Sequence, residues 1–526
     1  MKWNAWGDPE HAKPLSEGIR ALLAQALGVT GSTEAELQAD QVRLRPSALT
    51  PDDRDALAAI VGQDHCRVDD RDRLLRAGGK STLDLLRRKD PGEQDAPDAV
   101  LLPGTDEEVA AILQYCSQHG IAVVPFGGGT SVVGGLDPIR GAFAAAVSLD
   151  LRRFDQLLDF DDVSGEAVFG AGVTGPMAEK LLGVHDFSLG HFPQSFEFAS
   201  LGGYAATRSS GQDSAGYGRF DDMIRGLRVI TPAGTLDLGR APQSAAGPDL
   251  RELVIGSEGV FGVITRVRVR VHPTPQATRY EAWSFPDFAT GATALRAVTQ
   301  AGAGPTVIRL SDEAETGVNL ATTESIGDSQ ITGGCLAITV FEGTPEHADS
   351  RHAETRALMA AHGGTSLGEE PAKAWERGRF GAPYLRDALL ANGALCETLE
   401  TATDWSNVPA LKAAVTEALT TALAETGTPA LVLCHISHVY ATGASLYFTV
   451  VAGQRGNPIE QWRAAKTAAS NAIVATGATI THHHAVGADH RPWMADEVGD
   501  LGVQVLRAVK ATLDPAGILN PGKLIP

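Results

Sequence analysis

One stretch of the sequence constrains the fold more than any other, because a strand, a helix, a second strand and a glycine loop follow in turn. The first strand is Ala99–Leu102, and Thr105 with Glu108 forms a capping box that begins the helix. The second strand, residues 121–125, leads into Phe126–Ser131, which holds three consecutive glycines. Backbone N–H groups without neighbouring Cβ atoms can turn inward and form a nest that suits a pyrophosphate. The sequence therefore predicts a strand–helix–strand unit that ends in a phosphate-binding loop.

Other glycine motifs give weaker signals. Gly202-Gly203 and Gly256–Gly259 offer two more close backbone approaches, although each taken singly is typical of a tight turn. Gly170–Gly175 matches G-x-G-x-x-G, but the strand ending in an acidic residue about twenty residues further on is missing. The sequence therefore favours the loop at 126–131 over a nicotinamide-binding motif.

Charge and composition exclude several classes of protein. The chain of 526 residues has 44 Lys+Arg against 64 Asp+Glu, so its formal net charge is −20. Such a chain repels the phosphates of nucleic acids, and an anionic small substrate requires a pocket that is locally basic. With 43% hydrophobic and 21% charged residues, the chain is typical of a globular protein and not of a disordered one.

The sequence also indicates the compartment. The five cysteines form no C-x-x-C pair, which indicates neither a disulfide framework nor a cysteine zinc site. The first residues show no secretory signal, and no uncharged stretch is long enough for a membrane span. A reduced, cytoplasmic location is therefore expected.

The pattern along the chain predicts four regions. Residues 1–95 are charge-dense and helix-prone, which predicts an N-terminal helical region, and residues 96–275 carry the glycine loops. Residues 276–478 mix strands and helices and include an irregular Gly/Thr/Ser segment at 316–334. Residues 479–526 contain a histidine cluster and an amphipathic helix.

Two strand patterns are specific enough to place. Residues 229–238 predict a hairpin that turns at Ala233-Gly234. In Val263–His272 apolar residues alternate with arginines, which predicts a half-buried strand. We interpret the arginine stripe as a solvated outer face rather than as a phosphate site.

Histidines near the C-terminus are the strongest candidates for chemistry. His482, His483 and His484 are consecutive, and an upstream strand predicts Cys434, Ile436, His438 and Tyr440 on one side. A metal site needs three or four converging ligands, and nothing resembling H-E-x-x-H is present, so no metal is assigned. An acid–base cluster needs only a tyrosine whose pKa is lowered by neighbouring protonated histidines and arginine.

Together these residues resemble a known family. The segments PFGGGTSV (125–132), LGHFPQSFEFASLGGYAATRSSG (189–211), IGSEGVFGVIT (255–265) and DPAGILNPGK (514–523) resemble the FAD-binding PCMH-type flavoproteins of the vanillyl-alcohol oxidase superfamily. Within that superfamily the chain is similar to the alkyldihydroxyacetonephosphate synthase family, in a bacterial type, through four features: Met1–Gly7, Ala382–Asp387, the turn after Tyr440 and the triple histidine.

The resemblance implies a fold and a cofactor. The expected fold is α+β, with an FAD-binding domain in two subdomains, a mixed α/β cap that binds substrate, the N-terminal helical layer and a C-terminal segment that returns to the flavin. FAD would be held without a covalent bond. The implied cofactor residues are Pro125, Gly127, Gly128, Gly129, Thr130, Ser131, Gln194, Ser195, Gly202, Gly203, Thr207, Glu258, Gly259, Gly262 and Val263.

The resemblance also implies an activity. In that family the acyl group of acyl-dihydroxyacetone phosphate is exchanged for a long-chain alkoxy group through a flavin N5 adduct. Tyr440 would be the acid–base group, and Arg208, Arg386 and the three histidines would line the substrate pocket. Arg309 is a third candidate for the substrate phosphate because of its charge. A dianionic phosphate needs desolvated, bidentate cations, which is a task for arginine.

Two other functions remain open at this point. One is an FAD-linked dehydrogenase or oxidase of a 2-hydroxy acid of the D-lactate or glycolate type, or of a related alcohol. The other is a flavin- or lipid-binding protein without turnover. The expected partners are a small lipid or hydroxy acid and no nucleic acid, and a homodimer and weak peripheral contact with the inner face of the membrane are compatible with the sequence.

Overall fold

A computed structural model of the protein describes residues 1–31, 37–318 and 333–526. Most of the irregular segment at 316–334 lies outside the described residues. The strands are β1 (Arg43–Leu44), β2 (Cys66–Arg67), β3 (Glu93–Gln94), β4 (Ala99–Leu101), β5 (Ile121–Phe126), β6 (Ala145–Asp150), β7 (Leu157–Asp161), β8 (Glu166–Gly170), β9 (Phe187–Ser188), β10 (Ile224–Thr231), β11 (Gly234–Leu238), β12 (Val263–Arg270), β13 (His272–Pro273), β14 (Ala277–Phe285), β15 (Val307–Ser311), β16 (Cys335–Gly343), β17 (Thr365–Gly368), β18 (Ala394–Asp404), β19 (Ala430–Val439) and β20 (Gly443–Gly453).

The helices are α1 (Glu17–Leu27), α2 (Pro51–Val61), α3 (Asp70–Leu74), α4 (Thr82–Arg87), α5 (Asp106–His119), α6 (Gly175–Gly183), α7 (Leu201–Thr207), α8 (Ser214–Tyr217), α9 (Phe220–Met223), α10 (Arg251–Val254), α11 (Phe288–Ala301), α12 (Glu313–Gly317), α13 (Pro345–Ala361), α14 (Glu370–Gly378), α15 (Ala382–Ala391), α16 (Val408–Glu425), α17 (Pro458–Ala475) and α18 (Met494–Leu513). The α+β fold predicted from the sequence is confirmed. Most strands belong to three main sheets, and the helices pack around these sheets.

The first sheet carries the glycine loop. Its order is β2-β4-β6-β5, with β4, β5 and β6 parallel. The predicted strand–helix–strand unit is confirmed, because Thr105 caps α5 and Gly120 ends it in the left-handed conformation. The C-terminal segment pairs with the edge strand β5, where Val123 N–H donates to Ile518 O at 2.8 Å. This pairing brings the end of the chain back beside the glycine loop.

The second sheet completes the predicted FAD-binding domain. Its order is β11-β10-β12-β8-β7 and all its pairs are antiparallel. The predicted hairpin is confirmed, because Thr231 pairs with Gly234. The predicted half-buried strand is confirmed in β12, where Arg266 and Arg270 are exposed; Arg266 and Arg228 of β10 both reach Asp106 Oδ2 at 2.8 Å. These two ion pairs join the second sheet to the first residue of α5.

The G-x-G-x-x-G motif has a packing role here. A Cβ atom on Gly170 would lie 2.4 Å from Phe154 O, and one on Gly172 would lie 2.1 Å from Leu151 O. Both glycines therefore allow β8 and the following turn to approach the neighbouring backbone closely.

The cap is built on the seven-stranded sheet β17-β14-β16-β15-β19-β20-β18. Its two faces differ along β20, where Leu446, Phe448 and Val450 pack in the core with α16 and α17. Tyr447, Thr449 and Val451 alternate with them and line a cavity on the other face. The cap sheet therefore forms one wall of the candidate site.

The N-terminal region contacts both the cap and the first sheet. The buried face of α1 is formed by Ile19, Leu23 and Leu27, which pack beside Leu389 of the cap. Helix α2 packs with the first sheet, and the leucines of α4 pack with the cap. The first 95 residues therefore pack against both the first sheet and the cap.

Candidate active site

A cavity of about 380 Å³ lies between the glycine loop and the cap sheet. All but one of the predicted cofactor residues line it: Pro125, Gly127, Gly128, Gly129, Thr130, Ser131, Gln194, Ser195, Gly202, Gly203, Thr207, Glu258, Gly259 and Gly262. The exception is Val263, which packs in the core beside Ile230 because its side chain lies on the buried face of β12.

The glycine loop forms a wall of bare backbone that fits FAD. A Cβ atom on Gly127 would lie 2.4 Å from Ser200 Oγ, and one on Gly128 would lie 2.0 Å from Phe198 O. The loop therefore rests directly against the segment that begins α7. Gln194 Oε1 is buried beside this wall without a hydrogen-bond partner in the described part of the chain. Backbone N–H groups and an unpaired amide oxygen suit the phosphates and polar ring edges of a dinucleotide.

Glu258 links the wall formed by the glycine loop and Gly202-Gly203, here called the cofactor wall, to the histidine segment, residues 482–487. Its carboxylate accepts hydrogen bonds from Val486 N at 3.2 Å and from Gly487 N at 2.9 Å. Burial raises the pKa of Glu258 to about 7, and the two backbone donors oppose that rise. Asn520 Nδ2 donates to Glu258 O at 2.7 Å. Two parts of the predicted C-terminal region therefore meet at one buried glutamate.

The three consecutive histidines are held by Glu400, a buried residue of β18. Its carboxylate accepts the backbone N–H groups of His482 at 2.5 Å, His483 at 3.1 Å and His484 at 2.8 Å. Thr481 Oγ1 also donates to it. Burial by itself raises the pKa of Glu400, but the three histidines and Thr481 hold it well below its usual range. One carboxylate therefore fixes the backbone of the whole histidine run.

A chain of hydrogen bonds connects Tyr440 to the cavity. Tyr440 Oη lies 2.5 Å from His482 Nε2, and His482 Nδ1 lies 2.9 Å from His483 Nδ1. His483 and His484 line the cavity, whereas Tyr440 and His482 lie behind them. The four predicted catalytic residues are thus brought together, with His483 between the phenol and the cavity.

The electrostatics of this chain differ from the sequence hypothesis. Burial lowers the pKa of His482 well below its usual value and lowers the pKa of His484 to about 3, so both are neutral near pH 7. Burial raises the pKa of Tyr440, against the opposing effect of Arg219. The hypothesis that protonated histidines lower the pKa of Tyr440 is therefore wrong, and the phenol stays protonated. The cation beside Tyr440 is Arg219, which sequence reasoning missed.

A bulge in β19 corrects the predicted strand pattern. The register against β20 shifts between Ile436 and His438, so Ser437 is an extra residue. Cys434 and Ile436 pack in the core, while His435, Ser437 and His438 line the cavity. His438 therefore does not share a face with Cys434 and Ile436, because the bulge turns it toward the histidine run.

Arg309 and Arg386 line the cavity, and both are held by carboxylates. Arg309 Nη2 lies 2.7 Å from Glu315 Oε1, while its Nε atom has no hydrogen-bond partner in the described residues. Arg386 donates from Nε and Nη2 to Asp387 Oδ1, at 2.9 and 2.8 Å, and from Nη1 to Lys80 O at 2.7 Å. Arg309 therefore has only Nη2 paired with a carboxylate, whereas Arg386 uses its three nitrogen atoms within the protein.

Arg208 lies outside the cavity lining, contrary to the prediction. It ends α7 with a positive φ of 50°, and its side chain binds Asp221 at 3.0 Å and Glu252 at 2.6 Å. The left-handed backbone and the two carboxylates together direct the guanidinium away from the cavity. Its proximity in sequence to Gly202-Gly203 does not bring it to the substrate.

Sequence reasoning missed several residues of the cavity wall. Arg379 lies over the rings of Phe192 and Phe380 and binds Asp213 Oδ1 at 3.1 Å. His435 stacks on Tyr447, with ring centroids 5.0 Å apart, and its Nδ1 lies 2.8 Å from Glu315 Oε2. A signal for Glu400 was available, since Glu397 and Glu400 place charge in the mostly buried first part of β18. No comparable signal marks Arg379 or Tyr447.

Comparison with known families gives two matches that together span most of the chain. The FAD binding domain family matches residues 97–238. The family described as FAD linked oxidases, C-terminal domain, matches residues 274–524. The first range contains the glycine loop and strands of the first two sheets, and the second contains the cap and the C-terminal segment.

Full-length relatives are more specific. The alkyldihydroxyacetonephosphate synthase of Trypanosoma brucei brucei is 32% identical, over 100% of this chain and 92% of its own length. The synthase of Dictyostelium discoideum is also 32% identical, over 100% of this chain and 93% of its own length. A solved alkyldihydroxyacetonephosphate synthase superposes with a TM-score of 0.84 at 30% identity, and the match covers 100% of this chain and 99% of that one.

Proposed function

Since the chain belongs to the alkyldihydroxyacetonephosphate synthase family of FAD-dependent enzymes, we propose that it exchanges the acyl group of acyl-dihydroxyacetone phosphate for a long-chain alkoxy group. In this exchange the C1–O bond to the acyl group breaks, and a C1–O bond to the oxygen of a long-chain alcohol forms. The acyl group departs as a fatty acid, which takes up the proton that the alcohol hydroxyl loses. The product is the precursor of an ether lipid.

The observation that carries this proposal is the composition of the cavity. Besides the glycine loop and the histidines, the cavity is lined by the apolar side chains of Trp6, Trp375, Leu385, Leu389, Leu433 and Val451. A long alkyl chain can bury its methylene groups there, at about 0.8 kcal/mol each. A small 2-hydroxy acid has no use for so many apolar lining groups, which favours the transferase over the dehydrogenase.

FAD would be held by the backbone of residues 127–131, by Gln194 and Ser195, and by residues 258–262. When bound, it supplies an electron-accepting ring beside the substrate. The carboxylate of Glu258 does not need to contact it, because Val486 N and Gly487 N already use that group. Glu258 instead keeps the histidine segment against the cofactor wall.

The chain from Tyr440 to His483 holds and moves protons. A neutral imidazole has one N–H and one lone pair, so His482 can pass a proton between its neighbours by changing tautomer. His483 then presents either a donor or an acceptor to the cavity. Glu400 keeps the order of this chain fixed, because it binds the backbone and leaves the ring nitrogens available.

Arg309 is the better candidate of the two cavity arginines for the substrate phosphate. It lines the cavity, and within the described part of the chain its guanidinium is paired with a carboxylate only through Nη2, by which Glu315 orients it. Arg386 acts from the same cavity, where its pairing with Asp387 and Lys80 O limits it to charge and positioning. Arg208 as a substrate ligand stays a prediction without support from its position.

Anaerobic mixing of the holoenzyme with substrates tests the proposal. With acyl-dihydroxyacetone phosphate and a long-chain alcohol, we expect ether product, oxidised flavin at the end, and exchange of label between free and esterified fatty acid. A 2-hydroxy acid should leave the flavin absorbance unchanged. Lasting bleaching by D-lactate or glycolate, without label exchange, would favour the dehydrogenase and overturn the transferase; neither signal would favour a binding protein.

We also propose a location and an assembly. All five cysteines are free, which suits a reduced cytoplasmic compartment. Among the described residues, no helix has the length and apolarity needed to cross a membrane. A homodimer with weak peripheral contact to the inner face of the membrane is the proposed state. Light scattering and co-sedimentation with neutral vesicles test it, and a monomer that stays in the supernatant would contradict both parts.

A further inference from the structure

We propose that His438, His482 and His483 form a binding site for a borderline transition-metal ion such as Zn²⁺, and that an ion bound there inhibits the enzyme. One ring nitrogen from each histidine lies within 4.8 Å of those of the other two. His438 and His482 are buried, and His483 lines the cavity. Three imidazoles with one open position match the donor set of His₃ zinc sites.

The ring of His483 is steeply inclined to the other two rings. The rings of His438 and His482 are stacked at 5.1 Å, while His483 lies at 79° to the first and at 85° to the second. In a tetrahedral site with Zn–N bonds of about 2.0–2.1 Å, the nitrogens are about 3.3 Å apart. The widest pair must therefore close by at most about 1.5 Å, which side-chain rotation can supply. His482 and His483, at 2.9 Å, need to separate only slightly.

Outer groups already orient two of the ligands. Glu400 binds the backbone N–H groups of His482 and His483, and its Oε2 lies 3.5 Å from His483 Nδ1. Carboxylates in this outer position hold ligand histidines in place in known metal sites. The positive charge of Arg219 behind Tyr440 is paired with Asp221, whose Oδ1 lies 3.0 Å from Arg219 Nε. The site is therefore supported by the same residue that supports the histidine run.

Metal binding and proton transfer compete for the same atoms. Coordination of His482 and His483 through their facing Nδ1 atoms leaves one hydrogen on Nε2 of each of these rings, so neither ring gains or loses a proton. His482 would then donate to Tyr440 instead of accepting from it, and His483 could no longer exchange a proton with His482. The inhibition rests on the proposed function, whereas the binding site rests on geometry alone.

Titration of the chelator-treated holoenzyme with Co²⁺ and Zn²⁺ tests the site. We expect one equivalent of Co²⁺ to produce the visible bands of four-coordinate cobalt, at longer wavelength than the flavin, and Zn²⁺ to remove them. Calorimetry should give the same stoichiometry. Activity should fall as the site fills and return with a chelator. Binding is read without turnover, so a failure of the proposed reaction would leave this result intact.

Matched variants identify the ligands. His438→Gln and His482→Gln should each weaken Zn²⁺ binding by about 100-fold or more, beyond the usual effect of outer groups. His484→Gln is the control, because this third histidine of the run lies outside the trio, and its affinity should stay within about threefold of wild type. Flavin absorbance verifies that each variant is folded. The proposal is overturned by the absence of saturable binding in the wild type, or by equal affinities in His438→Gln and wild type.

Discussion

The cofactor wall and the substrate wall of the cavity are built by different means. The cofactor wall is backbone: glycines at 127–129 and 202–203 let two segments meet where a Cβ atom at Gly127 or Gly128 would collide. The substrate wall is made of side chains from β15, β18, β19, β20 and the histidine run, and its charges occur in buried pairs such as Arg309 with Glu315. A steric rule governs the first wall and an electrostatic one governs the second.

This difference predicts how each wall fails. A substitution in the cofactor wall should act through steric overlap, and its effect should not depend on the charge of the new side chain. A change in the substrate wall should leave a buried polar group without its partner, which costs about 1–3 kcal/mol, and more for a charged group. Substitutions in each wall can therefore separate the steric response from the electrostatic one.

The largest effect is expected from Gly128→Ala. The new Cβ would lie 2.0 Å from Phe198 O, a backbone atom, so the loop must shift by about 1 Å or more. A misplacement of about 1 Å can cost about 10²-fold in function. We expect the purified variant to lose its yellow flavin absorbance. Gly183→Ala is the control, because nothing lies within 4 Å of its Cβ, and it should keep full flavin content. Equal flavin content in the two variants would contradict the steric rule.

Removal of the phenol oxygen in Tyr440→Phe should lower kcat by about 10²–10⁴-fold while FAD stays bound. The reason is that Tyr440 Oη is the far end of the hydrogen-bonded chain to His483. His483→Ala should have a similar effect. Tyr280→Phe is a suitable control, since Tyr280 binds Glu376 outside the cavity lining. Turnover close to wild type in both Tyr440→Phe and His483→Ala would refute the acid–base assignment.

The two walls also differ in how well the sequence predicts them. The glycine loop was predictable because three adjacent glycines indicate a local backbone requirement that needs no distant partner. The role of Glu400 was not, because it binds the backbone of residues that lie 82 to 84 positions further along the chain. Pairings of that length depend on strand register, and the register of β19 contains a bulge at Ser437 that alternation does not predict.

The arginines show the same limit. The resemblance placed Arg208 and Arg386 in the substrate pocket, and the charge of the phosphate suggested Arg309 as a third candidate. Only the φ of 50° at Arg208 and its two acidic partners reveal that this side chain turns away. The fold class and most of the residues of the cofactor wall could thus be predicted, whereas the direction of a charged side chain required the packed structure.

A smaller effect is expected from Arg309→Ala, which removes the cavity guanidinium and leaves Glu315 hydrogen-bonded to His435 Nδ1 and Ser311 Oγ. Loss of a charge-assisted hydrogen bond of about 1.5–3 kcal/mol should raise KM for the phosphorylated substrate by about 10- to 150-fold. Arg208→Ala is the matched control, because its guanidinium lies outside the cavity lining, and its KM should be unchanged. A larger rise in KM for Arg208→Ala than for Arg309→Ala would return Arg208 to the substrate site.

The smallest effect concerns pH and stability. Burial lowers the pKa of His484 from 6.5 to about 3, and that of His490 likewise to about 3. In the unfolded chain these groups take up protons near pH 6.5, so the unfolded state binds more protons and the free energy of unfolding decreases as the pH falls from about 6.5 toward 3. We expect Tm to fall between about pH 7.5 and about pH 5 in a scanning experiment. His484→Gln removes one of these imidazoles, so Tm should depend less steeply on pH in this variant than in wild type. Gly183→Ala should show the same dependence of Tm on pH as wild type. An identical slope in His484→Gln and wild type would show that His484 does not contribute to this pH dependence.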